Sequence, residues 1–334
     1  MTGRRPAATV TMADVAARAG VSRALVSIVF RNAPGASAEN RERVMRAAAE
    51  LDYEPDQRAR LLGSKRSRTV GVLFGLHREF HGELVEELYR AVEGTGFELG
   101  LGACAPTRDE RRAVRDLVEQ RCEALVLLGP TLPRADIETL ARRVPVVVVA
   151  RSLRSRVVDV VRTDDMAGER LAVDHLVGLG HRAVVHVDGG RAAGAAERRR
   201  GYLAAMEAAG LADQARVLPG GLDEERGARA AGELLDGPPA TAVAAFNDHC
   251  AAGVLAVLRE RGVRVPHDVS VTGFDDSRVA GLATVALTTV RQDAPELARR
   301  ALDLAVSRAE GATSDAVEVV VPPSLVVRST TAGR

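Results

Sequence analysis

Hydrophobic positions near the N-terminus recur at helical spacing and predict three short helices. The first covers residues 13–19 after a cap at Thr11, and the second begins after a cap at Ser22. The third covers residues 38–51 after a cap at Ser37. The inward-facing positions are Val15, Ala16 and Ala19 in the first helix, Val26, Val29 and Phe30 in the second, and Val44, Ala47, Ala48 and Leu51 in the third. Three short helices are about the minimum that can enclose a core.

The first two helices are separated by a short turn at Gly20, which suits a left-handed residue at the end of a helix. Small side chains at Ala16, Ala17 and Ala19 let the two helices approach closely. This is the helix-turn-helix pattern, in which the second helix enters the major groove of DNA. Small helical bundles that do not bind DNA share the pattern, so by itself it leaves both interpretations open.

From Thr69 onwards, short β-branched runs alternate with amphipathic helices. Strands are predicted at residues 69–74, 98–101, 124–128, 146–150, 159–161, 183–187, 242–245 and 269–273, and helices between them, for example at 83–94, 108–119, 167–179, 198–209, 224–235 and 248–261. Strands separated by helices indicate parallel sheets covered on both faces. This number of strands favours two doubly wound subdomains, divided near Arg162, with a ligand cleft beyond the carboxyl ends of their strands.

The fold class predicted is therefore an all-α headpiece followed by an α/β core. Charge adds to this division, because residues 1–68 hold thirteen Lys and Arg against seven Asp and Glu, a net charge of 13 − 7 = +6. The whole chain carries +1, so residues 69–334 carry +1 − 6 = −5. A basic head on a mildly acidic body is the distribution that contact with DNA phosphates at one end requires.

Composition excludes several other classes. No apolar run approaches the roughly 20 residues that span a membrane, and the N-terminus has no apolar signal core, so a cytoplasmic protein without membrane contact is expected. The three cysteines, Cys104, Cys122 and Cys250, have no metal-ligand spacing, which favours reduced thiols and no bound metal. No cofactor is expected.

An enzyme is the obvious alternative for an α/β body. The segment beginning Gly100-Leu-Gly102 resembles a dinucleotide fingerprint loosely, but its glycines fall in or after the second strand rather than in the first turn. The chain carries no P-loop and no Gly-x-Ser-x-Gly elbow. The prediction is therefore that the protein is not an enzyme; turnover by the core would contradict it.

Between head and body, residues 58–62 could form one or two helical turns, fewer than the roughly 12–15 residues that an isolated helix needs. A plain basic linker is one interpretation. The apolar pair Leu61-Leu62 calls for another.

Together these residues resemble the lactose-repressor/galactose-repressor family of bacterial transcription regulators, and the resemblance covers nearly the whole chain. The segments that carry it are residues 10–30, Tyr53-Glu-Pro55 with Ala59 and Leu62, Thr163-Asp-Asp-Met-Ala-Gly168, His175-Leu176 with Gly180-His181-Arg182, Phe246-Asn247-Asp248, and residues 265–276. Each segment is weak alone, and the ordered set is specific.

The resemblance implies a homodimer that binds a pseudo-palindromic operator in double-stranded DNA, with a central CG step, under control of a small-molecule effector, which is a sugar or a related metabolite. It divides the chain into a headpiece (1–54), a hinge (55–68) and a core (69–334). The core's N-subdomain would cover about 69–162 and 293–318, and its C-subdomain about 163–292 and 319–330. Leu62 would be the apolar wedge in the central base step, with Ala59 in the same hinge helix; the alternative is that Leu62 only packs.

In the second helix, Arg23 and Ala24 match the family's main base-reading positions. Arginine can bond guanine through two hydrogen bonds, worth about 1–3 kcal/mol of discrimination, and alanine can touch a thymine methyl. The positions that match phosphate contacts are Thr11, Ser22, Ser27 and Tyr53. Ile28 stands where the family often has a polar reader, and Arg31 where asparagine is usual, so the preference at the outer base pairs stays open.

In the effector cleft, the matching positions are Phe80, Arg198, Asn247, Asp275 and Gln292. The four polar residues could bind hydroxyl groups, and Phe80 could pack on a ring face. Because Arg198 is followed by Arg199 and Arg200, any of the three could instead be a solvated helix charge. His181 and Arg182 are expected to support the structure rather than the ligand.

Three departures weaken a simple sugar assignment. Ala150 replaces a polar or acidic residue, Ala196 falls where some members have an arginine, and Leu222 lies near a stacking aromatic position. With no tryptophan and 3% aromatic residues, the effector could be an unusual sugar, a non-sugar, or absent. A periplasmic-type solute receptor and a transcriptional activator remain the alternative functions.

Overall fold

The computed structural model describes residues 10–30, 34–53 and 66–334. The chain divides into two compact units, one ending at Ser67 and the other covering Arg68–Arg334. Three of the predicted DNA-contacting residues, Arg31, Ala59 and Leu62, lie outside the described residues.

The helices and strands of the described residues follow in chain order. The helices are α1 (Met12–Ala19), α2 (Arg23–Phe30), α3 (Ala38–Glu50), α4 (Glu79–Val92), α5 (Glu110–Glu119), α6 (Arg134–Ala141), α7 (Asp165–Gly178), α8 (Ala195–Ala208), α9 (Glu224–Asp236), α10 (Asp248–Glu260) and α11 (Ala294–Ala309). The strands are β1 (Thr69–Gly75), β2 (Glu98–Cys104), β3 (Ala124–Leu128), β4 (Val146–Val149), β5 (Asp159–Thr163), β6 (Val184–Asp188), β7 (Arg216–Pro219), β8 (Ala242–Ala245), β9 (Ser270–Asp275), β10 (Thr288–Arg291), β11 (Glu318–Val321) and β12 (Ser324–Val326).

The N-terminal unit consists of α1, α2 and α3 around one apolar core. Thr11 and Asp14 cap α1 reciprocally, and Gly20 ends it with φ +63°. Arg43 on α3 donates from Nη2 to the carbonyl oxygen of Ala19 at 2.6 Å. The third helix therefore holds the turn between the first two, which fixes the helix-turn-helix geometry.

The first subdomain of the core is a six-stranded parallel sheet with the order β11-β5-β4-β3-β1-β2. One apolar cluster packs α4 and α11 on one face, and a second packs α5 and α6 on the other. The glycines of the dinucleotide-like segment lie within β2, where a β-carbon on Gly102 would meet Leu117 of α5 at 2.8 Å. Gly102 is thus explained by helix packing.

The second subdomain repeats this architecture with the order β12-β10-β9-β8-β6-β7. All neighbours are parallel except β10 and β12. Helices α9 and α10 cover one face, and α7 and α8 cover the other. Two doubly wound subdomains and an all-α headpiece are the predicted fold class, which is confirmed.

The chain passes between the two subdomains three times. It crosses after Thr163, after Gln292, and at Pro322-Pro323. The last crossing differs from the boundary placed near residue 318, which would cut through β11. Strand β11 pairs with β5 over its whole length, from Glu318 to Val321, and therefore belongs to the first subdomain.

The three cysteines are free, and burial raises the pKa of the Cys122 thiol to about 11 and of the Cys250 thiol to about 12. Within the described residues, no helix is long and apolar enough to cross a membrane.

Candidate functional site

A cleft opens between the two subdomains where the carboxyl ends of their strands face each other. A cavity of about 70 Å³ lies in it and is lined from both sides. All five residues predicted to bind the effector line this one cavity: Phe80, Arg198, Asn247, Asp275 and Gln292. The structure therefore brings together side chains that are more than two hundred residues apart in sequence.

Arg198 is the central cation of the cleft and is buried. Its Nε donates to Oδ1 of Asp165 at 2.8 Å, and its Nη1 donates to the carbonyl oxygen of Phe246 at 2.6 Å. The guanidinium carbon lies 3.5 Å from the ring centroid of Phe274 and 4.6 Å from that of Phe246. This settles which of the three consecutive arginines faces the cleft, because Arg199 and Arg200 pair with other carboxylates outside it.

Gln292 connects the cleft to two of the crossings between subdomains. Its side-chain Oε1 accepts from the hydroxyl of Thr163 at 2.6 Å, and its Nε2 donates to Oδ1 of Asp275 at 2.8 Å. The same Asp275 oxygen lies 3.6 Å from Nη2 of Arg198. Thr163, Gln292 and Asp275 therefore form one hydrogen-bonded chain from the crossings to the cavity.

Asn247 has both ends of its side-chain amide occupied by the protein. Its Oδ1 caps α10 by accepting from the N–H of Cys250 at 2.9 Å, and its Nδ2 donates to the carbonyl oxygen of Leu222 at 3.1 Å. A ligand that bonds Asn247 would have to share or replace one of these bonds.

Three residues at these strand ends have left-handed backbone conformations. Ala150 follows β4 with φ +56°, and Asp275 and Asp276 at the end of β9 have φ +113° and φ +57°. Left-handed conformations cost free energy for residues other than glycine and gather at functional sites. At Ala150 the strain falls on a residue that lines the cavity.

A histidine that the sequence analysis missed bridges the two subdomains. His249 on α10 bonds Glu79 of α4 at 2.6 Å through Nε2 and Glu224 of α9 at 2.5 Å through Nδ1. Burial lowers the pKa of His249, but the hydrogen bonds to Glu224 and Glu79 outweigh it and raise the pKa overall. Nothing in the helical pattern of α10 distinguishes His249 from a surface residue.

Glu83 of α4 faces acidic groups of the other subdomain. Burial raises its pKa to about 7, with help from the negative charges of Asp275, Glu79 and Asp276. Burial likewise raises the pKa of Asp275, although the positive charge of Arg198 opposes this rise. Burial also raises the pKa of Asp248, and the negative charge of Asp275 raises it further.

Glu83 and His249 each contribute stability to the core at mildly acidic pH. Between the usual glutamate pKa of 4.5 and about 7, folded Glu83 holds a proton that the unfolded chain releases, so the free energy of unfolding falls as pH rises. His249 acts in the same direction, because its stabilisation is complete below 6.5 and is lost as pH rises through its folded pKa. We expect the Tm of the wild type, measured relative to that of Glu83→Gln, to be higher at about pH 5.5 than at about pH 8 in scanning calorimetry.

The matched variants are Glu83→Gln and Glu86→Gln, both on α4. Glu86 is exposed and pairs with Arg90, so its loss should leave the pH dependence unchanged. Glu83→Gln should flatten it. An unchanged pH dependence in Glu83→Gln would contradict the assignment.

Other residues singled out from the sequence have structural positions. His181 bonds Thr241, Ser270 and the carbonyl oxygen of Ala332, and so ties the C-terminal segment to the second subdomain, as expected. Ala150 and Leu222 line the cavity, whereas Ala196 lines a separate surface pocket.

In the headpiece, Thr11, Ser22, Arg23 and Ala24 are exposed, whereas Ser27, Ile28 and Tyr53 are half-buried. Ser22 caps α2, because its hydroxyl oxygen accepts from the N–H of Leu25 at 3.2 Å. The ring of Tyr53 packs at 5.7 Å from that of Phe30. The first turn of α2 therefore presents Arg23 and Ala24 to solvent, while Val26 and Val29 on its other side are buried.

Comparisons with known proteins agree with both parts. Residues 11–56 match the family model "Bacterial regulatory proteins, lacI family", and residues 173–331 match a periplasmic binding protein-like domain. The regulator GalR of Escherichia coli (strain K12) is 36% identical over 324 residues, covering 95% of this chain and 94% of GalR. The chain belongs to the lacI family.

Two solved structures extend the likeness. The lac repressor dimer bound to operator and the anti-inducer ONPF is 28% identical, with a TM-score of 0.86 over 97% of this chain and 100% of that chain. The regulator CelR in complex with cellobiose is 32% identical, with a TM-score of 0.71 over 98% and 100%. As a lacI-family member, this protein is a transcriptional regulator with a DNA-binding headpiece and an effector-binding core.

Proposed function

We propose that this protein is a homodimeric repressor that binds a pseudo-palindromic operator and responds to a small hydroxyl-bearing effector in the cleft of its core. The observation that carries the proposal is the convergence of Phe80, Arg198, Asn247, Asp275 and Gln292 on one cavity between two subdomains, in a chain that begins with a helix-turn-helix. The relatives support it: the lac repressor structure is a dimer on its operator, and CelR is in complex with cellobiose.

On the DNA side, Arg23 and Ala24 are proposed to read bases, because they are exposed in the first turn of α2. Thr11, Ser22, Ser27 and Tyr53 are proposed to contact phosphates, and Ile28 and Arg31 to lie over the outer base pairs. Ala59 and Leu62 are proposed for the hinge, with Leu62 as the wedge at a central CG step.

On the effector side, Asp275 and Arg198 are proposed to bond hydroxyl groups and Phe80 to pack against the ligand. Gln292 and Asn247 are proposed to position these groups, since their amides are already bonded to Asp275, Thr163 and Leu222. We propose no catalytic role for the cleft, and we place the protein in the cytoplasm, where its operator DNA is.

The test is binding of the full chain to DNA from its own upstream region. Footprinting should show two related half-sites, and affinity should fall steeply with salt. Arg23→Ala should lower affinity for the operator by about 5- to 150-fold, which corresponds to the 1–3 kcal/mol of a bidentate arginine–guanine contact. Affinity for unrelated DNA should change far less.

Arg46→Ala is the matched control, since it removes the same charge from the headpiece. Arg46 lies on α3, where it pairs with Glu42 at the surface. A single asymmetric footprint, or equal losses for Arg23→Ala and Arg46→Ala, would contradict the proposal. A transcription assay distinguishes repression from activation, because only repression lowers transcript when the operator is occupied.

A further inference from the structure

A second cavity of about 510 Å³ opens at the carboxyl edge of the first sheet. Strand β1 pairs with β2 on one side and with β3 on the other, so the order of the sheet reverses at β1. Open α/β sheets bind ligands at this switch point. The cavity adjoins the effector cleft, because His77, Arg78, His81 and Gly129 line both.

Arg78 projects into this junction without a counter-ion. Within the described parts of the chain, no carboxylate lies within ion-pair distance of its guanidinium, although the side chain is half-buried. Burial lowers the pKa of Arg78, and the charge of Glu110 only partly opposes this. The other arginines of the rim are paired, Arg108 with Asp116 and Arg111 with Asp136. Arg78 therefore bears a desolvation cost that an anionic ligand would offset.

Glu110 does not serve as the counter-ion of Arg78. Its carboxylate already accepts from the N–H groups of Thr131 and Leu132 at 2.8 and 2.9 Å. The loop between β3 and α6 therefore holds the carboxylate of Glu110 in place.

His81 supplies a second donor at the same place. It is only 5% exposed, and its Nδ1 accepts from the N–H of Gly75 at 2.9 Å. Burial, together with the charge of Arg78, lowers the pKa of His81 to about 3, so the ring is neutral. A neutral ring that accepts at Nδ1 carries its proton on Nε2. This N–H has no hydrogen-bond acceptor among the residues that the structure describes.

The two donors converge beside Gly129. A β-carbon on Gly129 would lie 2.9 Å from Nε2 of His81 and 3.6 Å from Nη1 of Arg78, so both nitrogens border the same small volume. Arg78 is also the N-cap of α4 and makes no side-chain cap. The positive end of that helix dipole therefore adds to the two side-chain donors.

We propose that the effector carries an acidic group, a carboxylate or a phosphate, which Arg78 and His81 bind at the junction of the two cavities. This inference rests on the proposed function and narrows the effector to a sugar acid or a sugar phosphate. The hydroxyl groups lie toward Asp275 and Arg198, and the acidic group lies toward α4. A neutral sugar would leave the half-buried Arg78 without a counter-ion.

The experiment measures Tm of the full chain with four probes: inorganic phosphate, D-galacturonate, D-glucose 6-phosphate and D-galactose. Anions should raise Tm, and the acidic sugars should act at lower concentration than phosphate alone. Arg78→Gln should weaken the response to anions by at least tenfold, and Arg78→Lys should restore part of it. Galacturonate and glucose 6-phosphate distinguish a carboxylate from a phosphate.

Arg111→Gln, on the rim of the same cavity, should leave the anion response unchanged. The imidazole NMR signals of His81 add a readout that a purely structural role would not change, since a bound anion should raise its pKa from about 3. Anion responses that are absent, or equal in Arg78→Gln and wild type, would overturn the inference. A response to galactose alone would also overturn the inference, although control by a neutral effector would remain supported. Operator binding measured without any probe tests the DNA-binding function separately.

Discussion

Replacing Arg198 by alanine is expected to lower the free energy of unfolding of the core by about 3–5 kcal/mol, the cost of removing one partner of a buried ion pair. The side chain is buried, bonds Asp165 and the carbonyl oxygen of Phe246, and fills the space between two phenylalanine rings. Its loss would leave the Asp165 carboxylate buried and unpaired, and would open a cavity beside Phe274.

The size of the loss should depend on pH. Burial already raises the pKa of Asp165, with Arg198 opposing it. Without the arginine the buried carboxyl takes up a proton more readily, so the variant should lose less stability at about pH 5 than at about pH 8. Urea unfolding of the wild type and the variant at both values measures the difference.

Arg200→Ala is the matched control on the same helix. Arg200 pairs with Glu197 at the surface, so its removal should change stability by less than about 0.5 kcal/mol. Equal effects of the two substitutions would show that Arg198 has no special place in the cleft.

The second large effect is expected where α9 and α10 cross. A β-carbon on Gly227 of α9 would overlap the carbonyl oxygen of Cys250, and one on Gly253 of α10 would overlap that of Glu224. Both obstructions are backbone atoms, which cannot rotate away. Gly227→Ala should therefore lower the free energy of unfolding by at least about 3 kcal/mol, the upper end of the range for overpacked cores. It should also weaken the effector response, because Asn247 is the N-cap of α10.

Gly232→Ala is the control for glycine itself, since it lies on α9 with open space around its α-carbon. There, alanine should raise the free energy of unfolding by up to about 1 kcal/mol through helix propensity. A neutral Gly227→Ala would mean that the two helices are not in contact at this point. Calorimetry on both variants decides this.

The headpiece could be predicted closely from the sequence, because capping residues, Gly20 and apolar spacing are local signals. The sequence pattern does not predict four strands of the core, β7, β10, β11 and β12. Two are half-exposed edge strands with mixed patterns, β12 has three residues, and β10 begins with two threonines that are buried only through tertiary packing. Their pairing comes from parts of the chain far away, which no window of sequence reveals.

For the candidate site, the resemblance to the family predicted the five cavity residues but not which of them face a ligand and which position the others. The three consecutive arginines look alike in sequence, and only the fold aims Arg198 inward. The sequence does not reveal the roles of Arg78, His81 and His249, because these depend on neighbours in space. Arg78 and His81 both border the space beside Gly129, and His81 also bonds the N–H of Gly75. His249 bonds a glutamate of the opposite subdomain. No spacing rule links these positions.

The hydrogen-bonded chain from Thr163 through Gln292 to Asp275 joins the cleft to two of the segments that connect the subdomains. A ligand hydroxyl that donates to Asp275 competes with the Gln292 amide for the same oxygen, and Gln292 stands where the backbone passes from one subdomain to the other. A ligand at Asp275 would therefore act on a residue of the connection between the subdomains. The side chain of Gln292 therefore takes part both in the hydrogen bonds that face the ligand and in the connection between the two subdomains.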